Sequence, residues 1–141
     1  MDFGIGLGAL VLITENKRMK TSSAKNKGRL LQQHVCSAIR KMFSLGERDV
    51  KSCSMGSSGE DVLLSERAFA ILPLSIECKN TKSFPSLAAL RQARANSPSE
   101  ATPAACWKPP GKSYDETIIY FTLSEFLDLW SKSNEEDQLP Q

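Results

Sequence analysis

Three side chains in the middle of this 141-residue chain have the types and spacing for metal-assisted chemistry. Asp61 opens the apolar run DVLLS (61–65), and a second run, LPLSIECK (72–79), ends in Glu77-Cys78-Lys79. Side chains alternate along a strand, so Glu77 and Lys79 share a face. If the two runs pair as antiparallel neighbours around a connection centred near Phe69, with Ser65 opposite Pro73, then Asp61 stands opposite Glu77. Cross-strand partners sit about 4.5–5.5 Å apart. Two carboxylates that close repel unless a cation lies between them. Mg²⁺ suits the place, because it takes oxygen ligands, keeps several waters and needs only one or two carboxylates plus a phosphate. The expected ligands are Asp61, Glu77 and the backbone carbonyl of Cys78, with Mn²⁺ a substitute. Lys79 is then placed to orient or deprotonate a water and to offset negative charge on a phosphate. The competing reading makes Asp61 a strand-capping acid and Glu77–Lys79 an edge-strand ion pair of little energetic value. It leaves an apolar run leading into an acid unexplained.

The elements that must position these residues follow from hydrophobic period. Leu30, Leu31, Val35, Ala38, Ile39, Met42 and Phe43 recur at three- and four-residue intervals, predicting an amphipathic helix of about four turns that Leu45-Gly46 ends. RDVKSCS (48–54), DVLLS and LPLSIECK read as strands, the last two joined by a turn or helical piece around Glu66 to Ala70. SLAALRQARANS (86–97) reads as a helix, AACWK (104–108) and TIIYFTL (117–123) as strands, and Ser124 as the cap of a last helix. The predicted order is α-β-β-β-α-β-β-α, an α/β fold with a mixed β-sheet flanked by helices. Residues 15–28 are polar, basic and rich in small side chains, the pattern of a mobile arm or linker. The start, MDFGIGLGALVLIT, is too short for a membrane span and lacks the basic flank of a signal peptide, leaving an extra strand or an extension. The expected organisation is an N-terminal extension with a basic arm (1–26), one domain (27–131) and an acidic tail (132–141).

The net charge of +2 names no partner, but its distribution is uneven. Ten basic residues lie between Lys17 and Lys51 against two acids, and seven acids lie between Asp115 and Asp137 against Lys132 alone. A basic front half suits a polyanion, with Lys25, Lys27 and Arg29 as contacts for a nucleic-acid backbone. Ser54, Ser57 and Ser58 are either hydrogen-bond donors to phosphate or a flexible turn. The four cysteines have no C-x-x-C pair and His34 is the single histidine, so free thiols in a reducing cytosol are expected and a zinc site is not. Trp107 and Trp130 read as core residues, with Trp107 beside Lys108 also able to touch a nucleotide.

Asp61 with the preceding SMGSSGED loop, and Glu77-Cys78-Lys79 as an E-x-K, resemble the PD-(D/E)xK nuclease superfamily. KGRLLQQ (27–33) resembles the K-G-x-x-x-E opening of archaeal-type Holliday junction resolvases and related small phage endonucleases. The resemblance covers roughly residues 25 to 128. It implies a restriction-endonuclease-like fold and a Mg²⁺-dependent endodeoxyribonuclease acting on branched or duplex DNA. A role in DNA recombination, a homodimer, and the cytoplasm of a bacterium or phage-infected host are implied with it. Gln32 stands where the helix glutamate is expected, and Glu60 replaces the motif's proline. A neutral Gln32 hydrogen-bonds a water on the metal but supplies no charge. RQARAN (91–96) resembles the helix that follows E-x-K in many members, which assigns Gln92 a supporting role. The alternative is a DNA-binding protein of the same fold with weak or no catalysis.

Overall fold

The computed structural model describes residues 5–53, 59–98 and 100–137, with side chains from residue 23 to residue 135 within them. The chain is α/β, built from helices around two small sheets. Its elements are α1 (Ile5–Phe43), β1 (Val50–Ser52), β2 (Val62–Leu64), α2 (Glu66–Ile71), β3 (Leu74–Lys79), α3 (Ser86–Asn96), β4 (Thr102–Trp107), a 3₁₀ turn (Tyr114–Glu116), β5 (Ile118–Tyr120) and α4 (Leu123–Asp137).

The first helix corrects the expectation of a linker or an extra strand at the front. α1 runs unbroken for 39 residues, about 58 Å at 1.5 Å per residue. Residues 15–27 contain neither proline nor glycine, so nothing in their covalent structure interrupts a helix. The helix stops at Phe43. Ser44 takes a left-handed φ of 54°, and the Leu45 N–H returns to the Arg40 carbonyl at 2.9 Å. That bond is the outer one of a Schellman cap, and Leu45 supplies the buried apolar residue that accompanies it. The left-handed residue is thus Ser44 rather than Gly46.

The pairing also differs from the expected hairpin. β2 pairs antiparallel with β1, Val50 opposite Leu64 and Ser52 opposite Val62. β3 pairs parallel with β4, Leu74 opposite Thr102 and Lys79 opposite Trp107, and β5 closes this second sheet antiparallel to β4. β2 and β3 are therefore not ladder neighbours. The reason is α2. Ser65 caps it by accepting from the Ala68 N–H at 3.1 Å, while the Ser65 hydroxyl donates to Asp49 at 2.8 Å. A helix there turns the chain out of the first sheet, and β3 finds its partner across the α3 crossover, as parallel strands require.

The three-stranded sheet is covered on both faces. Leu74, Ile76, Cys78, Ala104 and Cys106 face α1 and form the main core with Leu31, Val35 and Cys36. On the other face Ala105 packs with Ala89 and Leu90 of α3, and Tyr120 lies against them. Along β3 Leu74, Ile76 and Cys78 turn toward α1 while Ser75 and Glu77 turn toward α3, so polar side chains are buried on the second face. At the C-terminal end TIIYFTL is a strand only through Tyr120. Thr122, not Ser124, caps α4, its hydroxyl accepting from the Glu125 N–H at 3.3 Å. α4 continues to Asp137, into the stretch expected as an acidic tail. Trp130 is 59% exposed rather than core.

The four cysteines are free. Burial pushes the Cys36 thiol up to about 11, and the Cys106 sulfur together with burial pushes Cys78 well above the ordinary thiol range. These are inert core thiols. Among the described residues no helix is long and apolar enough to cross a membrane.

Candidate active site

Asp61, Glu77, Lys79 and Gln92 form one connected group, assembled by a different route from the expected cross-strand pair. β3 is an edge strand, and its open edge faces β2 rather than β4. The Lys79 carbonyl accepts from the Lys108 N–H on the β4 side at 3.2 Å. A residue's N–H and C=O point to the same side of a strand and successive residues alternate, so Cys78 turns both groups to the open edge. Asp61 meets them there. Its Oδ2 accepts from the Cys78 N–H at 2.7 Å, and its own carbonyl is fixed by the Cys53 N–H at 2.9 Å. The Cys78 carbonyl therefore opens toward the same edge as the Asp61 carboxylate.

Glu77 lies next to them on the α3 face of the sheet and is only 2% exposed. Its Oε1 is 3.0 Å from the Lys79 Nζ, and Lys79 donates to the Gln92 Oε1 at 2.9 Å. Strand alternation accounts for the first contact. The second arises because α3 lies over this face of β3. Burial raises the Glu77 carboxyl to about 7, with Lys79 opposing the rise and the nearby Asp61 charge adding to it. A carboxylate so placed is stabilised in its charged form by a cation.

Further residues join the group that sequence spacing did not single out. Ser75 shares the Glu77 face and donates to the Ala93 carbonyl at 2.9 Å, and burial raises the Glu60 carboxyl above its ordinary range, with Ser75 opposing the rise. Asn80 ties the end of β3 to α1 through the Lys27 carbonyl at 3.2 Å. The signal for Ser75 was the i, i+2 relation to Glu77. Nothing in the sequence marked Asn80.

Gln32 is 5% exposed on the sheet-facing side of α1, while Gln33 is exposed to solvent. It lies between Lys27, which meets Asn80, and Cys36, which packs with Cys78 in the core. Lys25, Lys27 and Arg29 are exposed on α1, and Arg29 donates to Asn26 at 2.9 Å. Lys27 lines a cleft of about 470 Å³ with Asn80, Thr81 and Lys82, whereas Lys25 and Arg29 are not among its lining residues. Ser54, Ser57 and Ser58 lie outside the described residues. His34 is elsewhere, 3.7 Å from Asp115 and against the Tyr114 ring.

Among the described residues no three His, Cys, Asp or Glu side chains gather into a metal-holding group. The donors at the β3 edge fit Mg²⁺, a hard cation that accepts two carboxylates and a carbonyl and fills its other positions with water. No protein-family model, curated protein or solved structure matches the chain.

Proposed function

We propose that the chain is a Mg²⁺-dependent endodeoxyribonuclease of the PD-(D/E)xK type with a restriction-endonuclease-like fold. The observation that supports it most is the buried Glu77 carboxylate, which sits beside Asp61 and is bridged to Lys79 at 3.0 Å. Burying Glu77 beside the half-buried Asp61 is costly unless a cation offsets the two charges. When bound, Mg²⁺ supplies Lewis-acid polarisation of the scissile phosphate and a more acidic water. Asp61, Glu77 and the Cys78 carbonyl would hold that ion. Lys79, steadied by Gln92, orients the attacking water and offsets charge developing on the phosphate oxygens. Attack in line with the departing 3′ oxygen breaks the P–O3′ bond and leaves a 5′-phosphate. Exposed lysines and Arg29 on α1 hold the DNA backbone, so binding weakens steeply with salt. A junction-resolving role needs a homodimer, because symmetric cutting takes two such sites.

The experiment is incubation of the purified protein with linear and branched DNA in Mg²⁺, with and without EDTA. Cutting that EDTA abolishes supports the reading. Salt-sensitive binding without cutting selects a DNA-binding protein of the same fold, the reading favoured by a neutral Gln32 in place of a helix glutamate.

A further inference from the structure

We propose that Phe84 is a stacking platform for an unpaired base beside the Lys79 end of β3, making DNA with a flap, branch or gap the preferred substrate. The inference rests on the nuclease reading and names its substrate class.

Phe84 is 52% exposed, an unusual position for an aromatic ring in a loop that its surroundings hold so firmly. Trp107 meets it edge-on, centroids 5.2 Å apart at 62°, and Tyr120 meets it at 4.9 Å and 55°. Neither ring stacks parallel on Phe84. The loop is pinned on both sides of it. The Trp107 indole N–H donates to the Thr81 carbonyl at 3.0 Å, Thr81 donates to the Ser83 carbonyl at 2.8 Å, and the Tyr120 hydroxyl donates to the Ser86 carbonyl at 2.8 Å. A ring already fixed loses little conformational freedom when a base stacks on it.

Its location links it to the site. Trp107 is the register partner of Lys79 on the neighbouring parallel strand, so the two side chains emerge on the same face one strand apart. The same loop contributes Asn80, Thr81 and Lys82 to the 470 Å³ cleft whose opposite wall carries Lys27. Two lysines and no acid line that cleft, as a phosphate track requires. A strand whose phosphates lie in the cleft brings a base to Phe84, and only a base freed from its duplex partner can present its face there.

The test measures binding of the full chain to matched duplex and 5′-flap DNAs carrying 2-aminopurine in the flap, in EDTA so that no cutting occurs. The flap DNA is expected to bind roughly tenfold tighter than the duplex, with quenched fluorescence, on the scale of one stacked base. Phe84→Ala should lower flap affinity about tenfold, to the level of the duplex, and leave duplex affinity unchanged. Phe84→Leu, which keeps apolar bulk without a ring, should behave like Phe84→Ala, and Phe84→Trp should keep the preference. Unchanged flap affinity in Phe84→Ala and Phe84→Leu overturns the platform. Mg²⁺-dependent cutting of flap and duplex at equal rates also overturns it while the nuclease reading stands. Phe84-dependent flap binding without any cutting supports the platform and removes the nuclease reading instead.

Discussion

The Asp61 carboxylate accepts a 2.7 Å hydrogen bond from the Cys78 backbone N–H, and this one contact brings the loop acid to the strand that carries Glu77 and Lys79. It separates two roles of Asp61 that substitution can resolve. Asp61→Asn keeps a carbonyl oxygen for the Cys78 N–H and removes the charge, so stability should change by less than about 1 kcal/mol while cleavage is lost. Asp61→Ala should lose cleavage and also about 1–2 kcal/mol of stability, because the edge N–H loses its acceptor. Denaturant titration beside a plasmid assay checks both. Full activity in Asp61→Asn leaves Asp61 as a strand cap only.

Lys79 and Gln92 should act as a unit. Lys79→Ala is expected to slow the chemical step by orders of magnitude with DNA affinity little changed. Gln92→Ala should slow it only about tenfold or less, the worth of one neutral hydrogen bond of about 0.5–1.5 kcal/mol. In a Lys79→Ala background the Gln92 substitution should cost nothing further. Additive losses would separate the two residues.

The Glu77 carboxyl gives a pH signature in the metal-free protein. Its folded pKa, about 7, lies above the ordinary value of 4.5. The group's contribution to stability is therefore fully present below pH 4.5 and is lost as pH rises through about 7. Metal-free protein should lose stability between pH 5 and pH 8 relative to Glu77→Gln, and Mg²⁺ should restore more of it at about pH 8 than at about pH 5.5. Thermal melts across pH with and without Mg²⁺ measure this. Parallel profiles for the two proteins would contradict it.

Gln32 and Gln33 differ in burial, and their effects should differ with it. Gln32→Glu should lower the Mg²⁺ needed for half-maximal cleavage by adding a carboxylate on the sheet-facing side of α1, whereas Gln33→Glu, about 100° around the helix, should not. Mg²⁺ titrations at both positions decide it. An effect at Gln33 alone would mean that the helix alignment is off by one residue.

Much of this site was legible because it is local. Strand alternation alone places Glu77 and Lys79 together, and hydrophobic period and turn residues locate the C-terminal part of α1, the strands and α3 between residues 29 and 107, though not their order with α2 inserted. The approach of Asp61 to Glu77 was anticipated, but through a hairpin that does not exist. The stretch from Glu66 to Ala70 read as a turn or helical piece and folds as the helix α2, and the true partner of β3 begins at Thr102, beyond a second helix. Such distant pairing leaves no trace in local pattern. The front of α1 was misread for a related reason, since polar small residues without proline suit a linker and a helix equally. Phe84 and Asn80 gain meaning only once β3 and β4 lie side by side.

The central claim is that Asp61 and Glu77 hold Mg²⁺ for phosphodiester cleavage, and its most direct test is single-turnover plasmid cutting by wild type and Glu77→Gln across a Mg²⁺ titration. Wild type should cut with saturable Mg²⁺ dependence, and Glu77→Gln should be slower by about a thousandfold at every Mg²⁺ concentration, several kcal/mol of lost catalysis. Its DNA binding in EDTA should be retained or tightened, because a negative charge near phosphate is gone. Glu77→Gln cutting at the wild-type rate, or a wild type that binds DNA and never cuts it, would contradict the account.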